Sequence, residues 1–300
     1  MQTFRERIAI NGEIISEEEL VLVFEEVKKA SDKLKEKNMN VTYFEFATAM
    51  AFLYFEKKKC DFAVVEVGMG GRLDATNIVK PDVCVITNIA LEHMQYLGDT
   101  KEKIALEKAG IIKKSVVVIG EKDEKIRDIL LKIAKDRGSR AIIVEKDYEG
   151  KIYLQGKHQK RNAAMAIAAA EELGIGKEEI EKGIAKTNWP GRLETIQENP
   201  RVIIDASHNP SGMVATAEYL KELDKEIILV LGISEDKDYK EIVKTITPVA
   251  KKVIVTKAKY RGMDTSKLKE EVVKYNKEVK VDEDVQDAVN KAQELAKKEI

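Results

Sequence analysis

The feature that most constrains this chain is a recurring alternation of short apolar runs with helical patterns. DFAVVEV (61–67), DVCVITN (82–88) and SVVVIG (115–120) place apolar residues at successive positions rather than at every second one. Strands covered on both faces require that pattern. AIIVE (141–145) and KIYLQ (151–155) read as further strands, and an Ala-rich helix is expected over 158–173. A helix near 101–109 should start at Asp99 or Thr100 and stop at Gly110. A Pro-Gly pair in NWPGRLE (188–194) interrupts the alternation, which then resumes. RVIID (201–205), a helix from Pro210, IILVLG (227–232), a helix near 238–247 and KKVIVT (251–256) follow, and helices near 265–275 and 284–298 close the chain. Such alternation predicts an α/β chain of doubly wound units, with the boundary at 187/188. One unit then spans 1–187 and a smaller one 188–300.

The first residues follow other rules. Alternating residues around Asn11-Gly12 predict a hairpin. Residues 16–37 read as a charged amphipathic helix, with Ser16 and Glu19 forming a capping box. A second helix from about Thr42, rich in Phe and Ala, is expected to be largely buried. The hairpin opens without a lead-in and nothing follows the last helix, so the chain reads as a fragment.

Composition removes several function classes. Lys+Arg 52 against Asp+Glu 53 leaves no basic footprint for nucleic acid. No apolar run has the length of a membrane span, and no signal-peptide layout is present. Cys60 and Cys84 lack CxxC spacing and lie in apolar stretches, which predicts reduced, buried thiols and a cytoplasmic location. Charged residues reach 35%, above the roughly 25% of an average domain, a Lys/Glu tilt compatible with a warm-growing source.

Polar residues capable of chemistry fall where α/β sites form, at the carboxyl ends of strands. Glu66 ends one apolar run and precedes GMGGRLDATN (68–77). This is not a dinucleotide fingerprint, because Leu73 stands where the third glycine belongs. Glu66 reads either as a carboxylate aimed into a crevice or as a solvated strand-end residue. His93, in NIALEHM (88–94), should open on the same edge. The chain has three histidines, each at a loop or helix start. His158 lies in GKHQKRNA (156–163), where Asn162 is one helical turn further on the same face. His208 lies in IDASHNPSG (204–212), where Asn209 can cap a helix that begins at Pro210, a terminus suited to an anion. Capping accounts for Asn209 and Pro210 but not for Asp205 and His208. Lys108 sits in the last turn of its helix, where a cation complementing the helix dipole is the default reading. Arg192 can equally be a hinge ion pair, and Trp189 beside it reads as packing.

Taken in order, these strings resemble the folylpolyglutamate synthase/dihydrofolate synthase family, relatives of the Mur ligases. The resemblance is carried by FRERIAINGEII (4–15), FEFATAMAFLYF (44–55), EVGMGGRLDATN (66–77), LGDTKEKIALEKAGIIK (97–113), GKHQKRNA, WPGRLE (189–194), DASHNP (205–210) and GISEDKDY (232–239). It implies a P-loop-NTPase-like central domain, lacking its first strand and P-loop, followed by a smaller Rossmann-like domain, with ATP held between them. It implies amide ligation: a folate or dihydropteroate carboxylate attacks ATP, and the amine of L-glutamate then attacks the acyl phosphate. By the same resemblance Glu66 and His93 are Mg²⁺ ligands, and Lys108 is a lysine that CO₂ carbamylates into an oxygen donor for metal. Asn162 and Arg192 resemble nucleotide contacts, Arg192 on the phosphates. Asp205 resembles a ribose or nucleotide contact, and His208 shares its loop. Phe4–Arg7, Phe44 and Glu45 fall near the pterin, and a monomer is expected.

The sequence also departs from the family pattern. Glu92 replaces the usual Asp before the metal histidine, and Ala206 and Ser207 replace Gly and Ala. The GTNGKGS-type loop that holds phosphates in the family is absent. Gly-Lys pairs at 150/151, 156/157 and 176/177 are followed by Ile152, His158 and Glu178. The family's closing strand is absent too, so impaired activity is expected. Three alternatives stay open: a Mur-type ligase of cell-wall precursors, a non-catalytic nucleotide-binding remnant, and an NAD-dependent oxidoreductase. The last rests only on two Rossmann-like halves.

Overall fold

The hairpin forms as the Asn-Gly pair requires. The computed structural model describes residues 3–299. In it β1 (Ala9–Ile10) pairs antiparallel with β2 (Glu13–Ile14), through Asn11 (φ 53°) and Gly12 (φ 86°) in the left-handed region. Two long helices follow, α1 (Glu17–Lys35) and α2 (Tyr43–Lys57). They meet over Ile8, Ile15, Val23, Met50 and Tyr54. The expected capping box at Ser16 is only half formed. Ser16 accepts the Glu19 N–H at 3.1 Å, but the Glu19 carboxylate takes the Tyr54 hydroxyl (2.9 Å) and Lys58 instead. A tertiary partner therefore outcompetes the local one, and these bonds hold the Glu19 carboxyl below its ordinary pKa. Complete boxes form at Thr42 with Glu45 and at Thr3 with Glu6. Burial of α2 is confined to Ala47, Thr48, Met50 and Tyr54, while Phe44 and Phe46 are half-buried and Tyr43 is exposed.

The chain divides into two compact units. One gathers the residues up to Val117 with Asp123–Ala141, and the other gathers Val118–Lys122 with the chain from Ile142 onward. A three-stranded sheet has the order β3 (Val83–Ile86), β4 (Val116–Ile119), β5 (Arg140–Ile143). Arg140 N–H donates to Ser115 C=O and Val144 N–H to Ile119 C=O, an offset kept at both ends, as parallel strands demand. Val117, Val118 and Ile119 are buried, as their unalternating run predicts. In β3 only Cys84 and Ile86 are buried, and Val85 faces outward. Between β3 and β4 lie α3 (Met94–Leu97) and α4 (Lys101–Lys108), the latter capped by Thr100. The stop near Gly110 is a short 3₁₀ turn, Ala109–Ile111. α5 (Glu124–Asp136) joins β4 to β5.

Two expected strands do not form. Residues 61–67 take no regular structure and pair with no strand among the described residues, and Val64 is 98% exposed. β-propensity without a partner ladder does not make a strand. Residues 151–155 bend instead, and the Gln155 side chain donates to the Tyr153 carbonyl. Among the described residues no helix is long and apolar enough to cross a membrane.

In the second unit α6 (Lys157–Glu172) and α7 (Lys177–Lys186) precede an antiparallel hairpin, β6 (Glu194–Glu198) with β7 (Arg201–Ile204). α8 (Pro210–Glu222), β8 (Ile228–Leu231), α9 (Tyr239–Ile246), β9 (Lys252–Val255), α10 (Thr265–Val272), β10 (Val279–Val281) and α11 (Val285–Glu299) complete it. The parallel sheet β10-β9-β8 packs its core through Val253, Val255, Ile242, Ile246 and Leu268.

One backbone contact sets the loop of residues 68–77 against the helix that ends at Lys108. A side-chain carbon on Gly71 would lie 2.7 Å from the Lys108 carbonyl oxygen and 2.8 Å from that of Glu107. One on Gly110 would overlap the Arg72 backbone. The loop after residue 66 thus lies directly on the end of α4, at a separation only glycines allow. Gly110→Ala is expected to destabilise the protein by about 1–3 kcal/mol through overpacking. Urea unfolding measures this, and a midpoint equal to wild type would show that the two backbones are not pressed together.

Candidate functional site

The loop of residues 68–77 is fixed by its own polar residues. Asp74 accepts the Met69 N–H (2.9 Å) through one oxygen, and the Thr76 N–H (2.9 Å) and hydroxyl (2.5 Å) through the other. Arg72 reaches the Glu107 carboxylate with Nε and Nη2 at 3.0–3.2 Å, and its N–H donates to the Glu107 carbonyl at 2.8 Å. Asn77 donates to the carbonyls of Arg72 (3.1 Å) and Gly110 (3.2 Å). Phe44 from α2 lies against Gly68, where any side chain would overlap its ring. A two-pronged guanidinium–carboxylate pair adds directional strength to this seam.

Lys108 is the next residue along α4. It is half-buried, and its Nζ is 2.7 Å from Glu92 Oε1. His93 follows Glu92 with φ 47° and ψ 36°, a left-handed conformation in a non-glycine residue, and it opens α3 without capping it. Histidine is among the side chains that tolerate this region, and such residues cluster at functional sites. Glu66 and His93 are both exposed. The structure therefore brings Lys108 to Glu92, beside His93, and locks the loop that follows Glu66 to the helix that bears Lys108. In the sequence Glu92 reads only as a substitution for Asp. Its role as the lysine's partner was visible only in three dimensions.

Among the described residues, no group of three or more His, Cys, Asp or Glu side chains is arranged as a metal cage. Mg²⁺ seldom uses one. It takes one or two protein ligands and completes its shell with water and phosphate oxygens. The exposed carboxylate at Glu66 belongs to that oxygen donor set, whereas the exposed imidazole at His93 is a nitrogen donor, a ligand type that Mg²⁺ uses less readily.

The second unit carries the other four candidates. Asp205, at the end of β7, is an organiser of backbone. One oxygen accepts the Leu193 N–H (3.0 Å), and the other accepts the Ser207 N–H (3.0 Å) and the Thr216 hydroxyl (2.9 Å). Gly191 (φ 73°) and Leu193 (φ 49°) flank Arg192 in left-handed conformations, and the Gly191 carbonyl accepts the Ala206 N–H at 2.8 Å. The loop bearing Arg192 is thereby pinned to the loop bearing His208. The Arg192 and His208 side chains are exposed, and His208 Nδ1 lies 3.1 Å from the Ala206 carbonyl oxygen. Asn209 caps α8, accepting the Gly212 N–H at 2.8 Å, with Pro210 as first residue. Asn162 is exposed on α6 and donates to Gln159 Oε1 at 3.0 Å. Sequence reasoning missed Arg161, its neighbour. That side chain is buried, donating twice to the Gly120 carbonyl (3.2 and 3.1 Å) and meeting Asp147 at 3.3 Å. The signal was a basic residue at the edge of an Ala-rich helix.

Burial lowers the pKa of His158 below the ordinary histidine value. Asp205 opposes that shift, Arg192 adds to it, and Glu218 opposes it. His158 therefore feels both pinned loops.

Comparison with known proteins agrees with this layout. Residues 13–147 match the Mur ligase middle domain, and residues 191–300 match the Mur ligase glutamate ligase domain. The dihydrofolate synthase/folylpolyglutamate synthase of Bacillus subtilis is 36% identical over 283 residues, covering 83% of this chain and 66% of that protein. The folylpolyglutamate synthase of Lacticaseibacillus casei is 35% identical, covering 81% and 65%. The chain thus spans just under two thirds of the length of these relatives. The Mycobacterium tuberculosis folylpolyglutamate synthase, solved with ADP and AMPPCP, superposes with a TM-score of 0.89 at 32% identity, covering 98% of this chain and 76% of that one. E. coli FolC in complex with DHPP and ADP gives 0.85 at 28% identity, covering 98% and 73%. The chain belongs to the folylpolyglutamate synthase/dihydrofolate synthase family of Mur-type ligases.

Proposed function

We propose that this chain carries most of an ATP-dependent amide ligase that adds L-glutamate to a folate or dihydropteroate carboxylate. The observation that carries this reading is the Gly71–Gly110 seam, which sets Lys108 against the loop that follows Glu66. In the reaction, a substrate carboxylate oxygen attacks the γ-phosphorus of ATP and ADP leaves. The glutamate amine then attacks the acyl carbon, phosphate leaves, and the amine gives up its proton. The protein's task is positioning and charge stabilisation.

Each residue has a role within this scheme. Arg192 holds nucleotide phosphate charge, and Asp205 keeps its loop in shape by accepting the Leu193 and Ser207 amides. His208 and the amide end of α8 favour an anion at the same loop. Asn162 contributes a neutral polar contact to the nucleotide. Glu66 and His93 are the residues that would hold Mg²⁺, which when bound neutralises phosphate charge. Lys108 is the carbamylation site. Its amine, released from Glu92 and deprotonated, attacks the carbon of CO₂, forms an N–C bond and loses a proton, so that a cation becomes an oxygen donor. Phe4–Arg7, Phe44 and Glu45 face the pterin end of the acceptor. The T-shaped pair of Phe4 and Tyr43, with centroids 6.1 Å apart, supports an aromatic wall there. The functional boundary lies at 187/188, as the alternation implies.

Phosphate release from ATP tests the reading. In a fusion that supplies a glycine-rich phosphate loop, release should require both glutamate and a pteroate or folate acceptor. Release that ignores either one would overturn it. ADP binding without turnover by that fusion would favour a nucleotide-binding remnant. In the active fusion Lys108→Ala is expected to abolish turnover, and bicarbonate should raise the activity of unmodified wild type. A fully active Lys108→Ala enzyme would remove the carbamate. Glu66→Gln should shift the Mg²⁺ titration at least about tenfold, since even the outer-shell partners of metal ligands are worth about 10–100-fold in affinity. An unchanged titration would remove Glu66 from the metal site.

A further inference from the structure

His158 is the one histidine that the proposed reaction leaves without a role. It sits in the first turn of α6. A side-chain carbon on Gly156 (φ 94°) would lie 2.7 Å from His158 Cε1, 2.9 Å from its Nδ1 and 3.1 Å from Leu193 Cδ1. The imidazole and the Leu193 side chain therefore converge over Gly156. Leu193 is buried although its backbone is left-handed, and its N–H is tied to Asp205. Arg192 immediately precedes it. Whatever fixes Leu193 fixes the direction in which Arg192 leaves the loop.

We propose that His158 is a positioning residue for Arg192: its ring, seated against Gly156 and beside Leu193, braces the Gly191–Leu193 loop so that the guanidinium faces nucleotide phosphate. The inference rests on the nucleotide reading of that loop given above. The charged groups that bear on the ring are Asp205, Arg192 and Glu218. On its own helix, Lys157 is engaged by Glu222 at 2.6 Å. A neutral ring suits the place, because an imidazolium there would repel Arg192. Acidification should then loosen the brace as the ring charges, with a midpoint below the ordinary histidine value of 6.5.

The chain's single tryptophan, Trp189, stands three residues before Arg192 and is 60% exposed, so its emission reports the loop. In ligand-free protein at neutral pH, His158→Ala should increase acrylamide quenching of Trp189. His158→Gln, close in volume and uncharged, should restore the wild-type value. The acid-side titration of Trp189 emission should be present in wild type and absent in His158→Gln, a readout that a purely structural role would not move. Isothermal titration of ADP should weaken about tenfold in His158→Ala, or roughly 1.4 kcal/mol. Unchanged quenching and an unchanged titration in the variants would overturn the brace. ADP binding without coupling of Trp189 to His158 overturns the positioning role alone. Coupling without ADP binding by wild type upholds the brace and overturns only the nucleotide reading.

Discussion

The first unit depends on the close approach of two backbones, Gly71–Arg72 and Glu107–Gly110. Glycines at 71 and 110 remove the side chains that would separate them, and the Arg72–Glu107 pair with the Asn77 bonds then closes the seam. Lys108 and the loop of residues 68–77 are placed relative to it. Lys108 follows Glu107, Gly68 of the same loop carries the Phe44 ring, and Glu66 lies two residues upstream. The pair is half exposed, so its stabilisation is modest. Its value is directional, because a fork-shaped guanidinium on a carboxylate admits one register of loop on helix.

The second unit solves the same problem with a carboxylate. Asp205 accepts two backbone N–H groups and a hydroxyl, and so gathers the ends of β7, the Gly191–Leu193 turn and the first turns of α8. Its oxygens are spent on the protein itself. Asp205 thus shapes the loops that present Arg192 and His208. Arg161 does comparable work at the start of α6, where a buried guanidinium joins the helix to the carbonyl that ends β4.

Much of this was legible in the sequence, where local chemistry decides structure. Asn11-Gly12 could only turn, Thr100 and Asn209 capped as read, the runs at 115–120 and 251–256 became buried strands, and the run at 227–232 became a strand buried at Leu231 and half-buried before it. Long-range partners produced the failures. Residues 61–67 have strand-forming side chains but no strand partner among the described residues, and 151–155 likewise. Glu19 abandoned its box for Tyr54 and Lys58, which no short window contains. α5 was legible and overlooked: Asp123 caps it, and Ile126, Leu130 and Ala134 recur at four-residue steps. Of the site, residue types and order were visible as a family resemblance. The pairing of Lys108 with Glu92 and the inward role of Asp205 were not, since both depend on atoms many residues apart.

The most direct test is to add ADP to the ¹⁵N-labelled chain and follow its backbone amides. Shifts concentrated in residues 191–193 and 206–212, reduced in Arg192→Ala, are the result expected if the loops pinned by Asp205 form a nucleotide cradle. Saturating ADP that leaves those amides unmoved, or moves only amides elsewhere, would contradict that assignment.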